Sequence, residues 1–527
     1  MTSALLTLLL CAPAPTGIDT AVVCPAEFRQ ALEPWVRHRR SQGHRVAVIS
    51  NQKSPVGLRS EVRRIAAAGE LRYLLLVGDA DPAMHANSAV RRRCVPAHYA
   101  KAVVNVQYGS TSEIATDNWY ADLDDDRVPE IAVGRLTCDS AEELSRMVEK
   151  ILGYERSADF GPWRRQVHFV AGLGGFGPMA DTVLEAAAKS LISGGIPSAY
   201  STTMTYASWQ SPYCPDPRDF KRVTLARLNE GSLFWVYIGH GQQCAVDEVR
   251  VPGGQYPILS TADTAGLRCR HGAPIACFLA CYSGAFDQPR DCLAEEMLKS
   301  SGGPVAILCG SRVTMPYGMS VLGTELLEQC FTEQPGTLGE AILQAKRRMM
   351  RTDNPSSIRA ALDAIAGVIS PTSGQLEAER AEHLDLFNLL GDPLLRVAYP
   401  RAIEVAVAPS AAAGGIISVS LTTPLAGSGV VELAVRRDRL SFKPPRRDRF
   451  DPDALAGYDE IYRMANEPRL TSTPVALGAG SFTTQLAVPA EARGSCHVRV
   501  FLAGPDGCAA GAAGIHIEEQ SASAPDR

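Results

Sequence analysis

Two short segments of the sequence end on side chains able to do covalent chemistry. Phe234-Trp235-Val236-Tyr237-Ile238 runs into Gly239-His240-Gly241, and Ile275-Ala276-Cys277-Phe278-Leu279-Ala280 runs into Cys281-Tyr282-Ser283-Gly284. Each is an apolar run of strand length that stops at a reactive residue followed by small or polar ones. A thiol needs an imidazole beside it to become a thiolate near neutral pH, and that imidazole can then protonate a leaving amine. As neighbouring parallel strands, the two runs would bring His240 and Cys281 together at the carboxyl edge of a sheet, where α/β proteins form their ligand sites. Gly241 allows close approach of the main chain. Its N–H, with that of Cys281, can point at a developing oxyanion. Cys277 sits inside the apolar run and reads as a packing residue.

A second constellation is Asp122-Leu123-Asp124-Asp125-Asp126 with Glu130 four residues on. Carboxylates at alternate positions of a tight loop suit a hard cation, and calcium accepts ~6–8 oxygens. Asp122, Asp124, Asp126 and Glu130 are therefore candidate calcium ligands. The glycine of an EF-hand loop is missing, and an acidic surface turn is the competing reading.

These groups need elements to hold them. Strands are expected at Ala21–Val23, Arg45–Ile49, Tyr73–Val77 and Glu130–Val133, alternating with helical patterns. Asp139 is expected to cap a helix, with Glu142 completing a capping box and Leu144, Met147, Val148, Ile151 and Leu152 on its apolar face. After a linker at Ser157–Trp163 the alternation restarts with Val167–Ala171, a glycine-rich turn, a helix over Ala180–Ile192, and strands Leu233–Ile238, Ile275–Ala280 and Val305–Leu308. Such alternation implies an α/β sheet with helices on both faces. Beyond Pro400 the pattern changes to β-branched segments between Gly, Pro and Ala turns, the mark of a small β-sandwich. The expected divisions are a leader over 1–19, α/β units over 20–156 and 164–399, a β-sandwich over 401–518 and a polar tail over 519–527.

Composition excludes several classes. Of 527 residues, 46% are apolar and 21% charged, with net charge −5, which argues against disorder and gives no basic footprint for nucleic acid. No stretch is apolar for long enough to predict a transmembrane helix. Ala4–Cys11 followed by Ala12-Pro13-Ala14 resembles a secretory signal without its basic start, so a secreted or cell-envelope protein is expected, with a cytoplasmic one as the alternative. The fourteen cysteines contain no CxxC pair. Only Cys496 and Cys508 suggest a bridge between neighbouring strands.

His-Gly ending one strand and Ala-Cys ending the next resembles the gingipain-like cysteine peptidases of the caspase-type clan. Thr116-Asp117-Asn118-Trp119-Tyr120, Pro129-Glu130-Ile131-Ala132-Val133-Gly134-Arg135 and Gly391-Asp392-Pro393 carry the resemblance over about residues 20–400. It implies a caspase-like αβα sandwich of two α/β subdomains followed by an immunoglobulin-like domain. It further implies an endopeptidase acting on proteins or peptides through a thioester, with Cys281 as nucleophile, His240 as general base and acid, and no catalytic cofactor. Structural calcium is implied as well. The family's usual acid after the strand at Val167–Ala171 is absent from Gly172-Leu173-Gly174-Gly175. The nearest carboxylate, Asp181, is either the histidine partner or a first-turn helix acid. Asp181, Glu185, Asp247, Glu248 and Asp287 are candidates for an acidic specificity pocket. A silent adhesive scaffold that kept the fold is the alternative function. A metal-dependent hydrolase built on His240 lacks a supporting ligand motif.

Overall fold

The computed structural model describes residues 17–172, 174, 194–353 and 357–519. The leader up to residue 16, the helix expected over Ala180–Ile192, Asp181, Glu185 and nearly all of the polar tail lie outside these.

Ten strands form one sheet: β1 (Thr20–Cys24), β2 (Val46–Ser50), β3 (Tyr73–Val77), β4 (Ala132–Leu136), β5 (Gln166–Ala171), β6 (Ser201–Tyr206), β7 (Phe234–Ile238), β8 (Ile275–Leu279), β9 (Ala306–Gly310) and β10 (Phe387–Leu390). Their order is β2-β1-β3-β4-β10-β9-β8-β7-β5-β6. The two α/β stretches of the sequence therefore share a single sheet. β10 joins them, parallel to β4 and antiparallel to β9. β1, β3, β8 and β9 are buried along their whole length, as strands covered by helices on both faces must be. One apolar core runs from Val22 through Trp235 to Leu395.

Differences from the sequence reading have local causes. The helix Ala141–Arg156 is capped by Ser140, whose hydroxyl accepts from the Glu143 N–H, while the Glu143 carboxylate accepts from the Asp139 N–H. The box is thus shifted by one residue, and the apolar face is buried as expected. β6 is rich in threonine and β10 is only four residues long, so neither stood out as a strand.

The motifs that carry the resemblance inside the α/β layer are largely structural. Buried Arg135 grips Asp117 with two hydrogen bonds and also donates to the carbonyls of Gly78 and Val95. Asp392 accepts from Arg39 at 2.5 Å and from Trp35, tying the first helix to the end of β10.

The C-terminal region is a β-sandwich. One sheet contains Gly427–Val435, Arg469–Leu477, Gly494–Gly504 and Gly507–Glu518, and a three-stranded sheet contains Glu404–Ala406, Ile416–Thr423 and Gly480–Ala487. A second core lies between them. Gly507–Glu518 is a strand of mostly glycine and alanine, a composition that carries little strand propensity. A Cys496–Cys508 bridge, the one pairing the sequence suggested, does not form. The two lie on paired strands but opposite Ile515 and Ala503, far apart along the ladder, and all described cysteines are thiols.

Residues 436–468 are inserted between two paired strands of this sandwich and reach back to the α/β layer. There Asn466 treats edge strand β6 as a partner strand would. Its side-chain oxygen accepts from the Met204 N–H at 2.7 Å, and its amide donates to the Met204 carbonyl at 3.0 Å. That satisfies main-chain groups an open edge would leave unpaired. Buried Glu432 of the sandwich bridges Arg165 of the α/β layer and Arg499.

Candidate functional site

β7 and β8 are adjacent and parallel, with Ile238 opposite Leu279 as the last pair. His240 and Cys281 each follow two residues later, so the ladder delivers both to the same height above the carboxyl edge. The Gly239 N–H still donates to the Leu279 carbonyl at 3.2 Å, which keeps the two chains together past the strand ends.

Close packing of these turns needs glycine. A Cβ on Gly241 would stand 2.4 Å from the Cys281 carbonyl oxygen and 3.0 Å from the Ala280 Cβ. Gly239 has φ +157°, and a Cβ there would lie 2.8 Å from the Tyr237 hydroxyl. Tyr237 is fully buried on β7 and acts as a peg beneath the histidine turn. Its hydroxyl donates to the His240 carbonyl at 2.9 Å and accepts from the Asp247 N–H at 3.2 Å. Burial pushes that phenol well above its ordinary range, so it stays protonated and can donate.

The Cys281 turn is anchored from β9. The Tyr282 N–H donates to the Arg312 carbonyl, and the Gly284 N–H to that of Gly310. Tyr282 has φ 53°, a left-handed conformation that a non-glycine residue adopts at a cost of ~1–3 kcal/mol. It redirects the chain immediately after Cys281. Cys281 is half-buried, and the Thr314 N–H donates to its Sγ at 3.3 Å. The sulfur also lies 3.6 Å from the Thr314 carbonyl oxygen and 3.6 Å from its hydroxyl, so Thr314 fixes its position. Thr314 carried no signal in the sequence, because only the neighbourhood of β8 and β9 brings it to Cys281.

The other cysteines differ sharply. Burial pushes the Cys277 thiol up to about 12, and raises Cys309 and Cys292 well above the usual thiol range. They are packing residues, as the sequence reading of Cys277 held.

The candidate acids separate. Asp287 is buried and fully engaged by Arg312 through contacts of 2.5 and 2.8 Å, an ion pair that ties the turn after β8 to the turn after β9. It is therefore not a free anion for a cationic substrate. Asp247 has a nearly buried carboxylate, 3.3 Å from where a Cβ on Gly172 would stand, and it accepts from the Glu248 N–H. The missing side chain at Gly172 leaves room beside the Asp247 carboxylate. Glu248 begins the strand Glu248–Val251 and is half-exposed.

In the acidic loop three of the four candidate carboxylates converge. Carboxylate oxygens of Asp122, Asp124 and Glu130 lie within 4.8 Å of one another. Asp126 is outside that group and instead accepts from the Val128 N–H. Asp122 also pairs with Arg59 at 3.1 Å. Burial, then the charges of Asp124 and Asp122, raise the Glu130 carboxyl above its ordinary range. The sequence reading missed a second group, Asp79, Asp139 and Asp291. Lys299 supplies its counter-charge, 2.8 Å from Asp139 and 2.6 Å from Asp291.

A thiol and an imidazole thus stand at the carboxyl ends of two adjacent parallel strands of the sheet. The chain belongs to peptidase family C25, whose model matches residues 13–398. Lys-gingipain of Porphyromonas gingivalis is 22% identical over 295 residues, covering 54% of this chain and 15% of that protein. Gingipain R2 of the same organism is 21% identical over 402 residues, covering 73% of this chain and 47% of that one. This chain thus spans less than half the length of either relative. The crystal structure of the Arg-specific cysteine proteinase gingipain R shares the fold, with a TM-score of 0.54 at 17% identity, over 96% of this chain and 100% of that chain.

Proposed function

We propose that the chain is a cysteine endopeptidase that hydrolyses peptide bonds in proteins through Cys281 and His240. The observation that carries this reading is the β7/β8 register, which brings both residues to one height at the sheet edge. His240 takes the thiol proton, and the Cys281 sulfur attacks the scissile carbonyl carbon. The oxyanion that forms faces the N–H groups of Gly241 and Cys281. His240 then protonates the leaving amine as the C–N bond breaks, leaving a thioester. Water, deprotonated by His240, attacks the thioester, and the acid product departs as the thiol is restored.

The test is cleavage of an unfolded protein substrate by the wild type, Cys281→Ala and His240→Ala. Loss of cleavage in both variants, with alkylation confined to Cys281 in the wild type, supports the dyad. Substrate capture without cleavage by the wild type favours the adhesive scaffold. Activity insensitive to alkylation, abolished by chelation and restored by zinc would favour the metal hydrolase.

We further assign the Asp122 loop to structural calcium, held by Asp122, Asp124 and Glu130. Three converging oxygens, with a glutamate raised by burial and then by its neighbours' charges, suit a hard cation. Calcium should raise the melting temperature of the wild type and not that of Glu130→Gln. Export through the apolar Ala4–Cys11 segment completes the proposal, with amino-terminal sequencing of protein from the culture medium as its test.

A further inference from the structure

The insertion at 436–468 belongs in sequence to the β-sandwich, yet it runs along edge strand β6: Arg437 donates to the carbonyls of Ile196 and Tyr200 before the strand, Asn466 pairs with Met204 within it, and Arg447 and Asp459 reach the loop after it, at the carboxyl edge of the sheet. Three hydrogen bonds form one row along that edge: Ala207 N–H to Ala171 O at 2.9 Å, Gly172 N–H to Ile238 O at 2.9 Å, and Gly239 N–H to Leu279 O at 3.2 Å. The row links the loop after β6, the turn after β5, the His240 turn and the end of β8 just before Cys281. With strands ~4.8 Å apart, three spacings put the β6 loop ~14 Å from the nucleophile's strand. An extended peptide rises ~3.3 Å per residue, so about four substrate residues span that distance.

The loop following β6, residues 207–216, is held from the insertion at both ends. Arg447 donates to the carbonyls of Trp209 at 3.1 Å and Ser211 at 2.6 Å, and its guanidinium stacks 3.6 Å from the centre of the Tyr458 ring. Phe450 packs edge-on against Trp209 at 5.5 Å. Asp459 accepts from the Asp216 N–H at 3.0 Å. A guanidinium bonded to two carbonyls and stacked on a ring fixes the path of a loop far better than side-chain packing alone.

We propose that the insertion is a working part of the peptidase: through Arg447 and Asp459 it fixes the 207–216 rim, and so determines how well peptides extended about four residues from the scissile bond bind. This rests on the peptidase reading above. Arg447 is a positioning residue, since it acts on the loop and not on the reacting atoms. The position of the loop makes the effect selective, because a short substrate ends before reaching it.

The experiment compares wild type, Arg447→Ala and Arg447→Lys on an octapeptide cleaved at its centre and on a single-residue amide. Hydrogen exchange over 207–216 is followed in the same proteins. The ratio of kcat/KM for octapeptide to amide should fall about tenfold in Arg447→Ala, mainly through KM, as expected for loss of a charged hydrogen-bonding group. Exchange in the loop should quicken, and Arg447→Lys should recover part of both. An unchanged ratio overturns the proposal, and so does an equal loss on both substrates, which would mark Arg447 as a residue of general stability. A wild type that cleaves neither substrate sinks the peptidase reading instead. The exchange data then decide by themselves whether Arg447 holds the loop, and wild-type exchange in Arg447→Ala would refute that.

Discussion

Gly241→Ala is the sharpest test of how the dyad is held. The φ of Gly241 lies outside the left-handed region, so alanine meets no backbone penalty there and the perturbation is one of contact alone. The added methyl would stand 2.4 Å from the Cys281 carbonyl oxygen and 3.0 Å from the Ala280 Cβ. Even a tight contact leaves it ~0.8 Å too close, and both obstacles belong to the nucleophile's own turn. Neither is the flexible end of a long side chain that could swing away. Relief must come from sliding the His240 turn and the Cys281 turn apart by most of that distance. A misplacement of ~1 Å in a reacting pair costs about 100-fold in rate, or about 2.7 kcal/mol of transition-state stabilisation. Overpacking should cost ~1–3 kcal/mol in folding, so the variant should remain folded. The assay is kcat/KM on a peptide amide beside urea denaturation and the rate of Cys281 alkylation by iodoacetamide. The expected result is a rate loss near 100-fold with alkylation still occurring, because the thiol is intact and only its alignment is lost. A folded variant within about threefold of wild-type kcat/KM would refute the argument that this contact sets the dyad geometry.

Cys281→Ala should abolish hydrolysis while Cys277→Ala keeps most of it, since burial holds the Cys277 thiol near 12; equal losses in two folded variants would reverse that assignment. Tyr237→Phe removes one donor to the His240 carbonyl and one acceptor for the Asp247 N–H, so kcat/KM should fall about tenfold with Cys281 still open to alkylation; wild-type kinetics would show that the phenol is not a peg. Glu432→Ala leaves Arg165 and Arg499 buried without their shared partner, and should cost about 3–5 kcal/mol in chemical denaturation; a loss below ~1 kcal/mol would show the sandwich to be loosely docked. Burial holds His168 down to about 3, helped by the Arg227 charge, and His383 down to about 4. Their folded pKa values lie below the unfolded ~6.5, so the stability they contribute is present above pH ~6.5 and is lost as pH falls toward 4 and 3. The melting temperature should drop steadily from pH 7 to pH 4, and a flat profile would contradict it.

What the sequence made legible follows from what a short window can encode. The β7 and β8 runs are nearly continuous apolar segments ending at His240 and Cys281, and such runs mark strands buried on both faces whatever their partners. Their adjacency came through the resemblance, not through periodicity. The carboxylates at 122, 124 and 130 converge in the fold while Asp126 turns to the Val128 N–H, because alternation in sequence does not say which oxygen turns toward its own backbone. Illegible features depend on distant segments meeting. Thr314 reaches Cys281 across 33 residues of sequence. The Asp287 carboxylate, a candidate for substrate, is consumed by Arg312 from the next turn. The insertion at 436–468 gave no reading from sequence, and only the fold sets Asn466 on the edge of β6 and Arg447 on the loop beyond it. This last case changes a functional expectation. A β-sandwich with its own core and no catalytic cluster looks dispensable for hydrolysis, and a chain ending near Val397 would look sufficient. That chain would lose the cover on β6, the partner of Arg165 and both ties to the 207–216 loop. Edge strands stripped of their cover pair with other chains, so the shortened protein should aggregate or unfold before its activity can be compared. The sandwich is separate as a core and continuous with the α/β layer as a mechanical unit, because a buried ion pair and hydrogen bonds from the insertion's side chains to main-chain groups cross between them where apolar patterning alone marks a boundary.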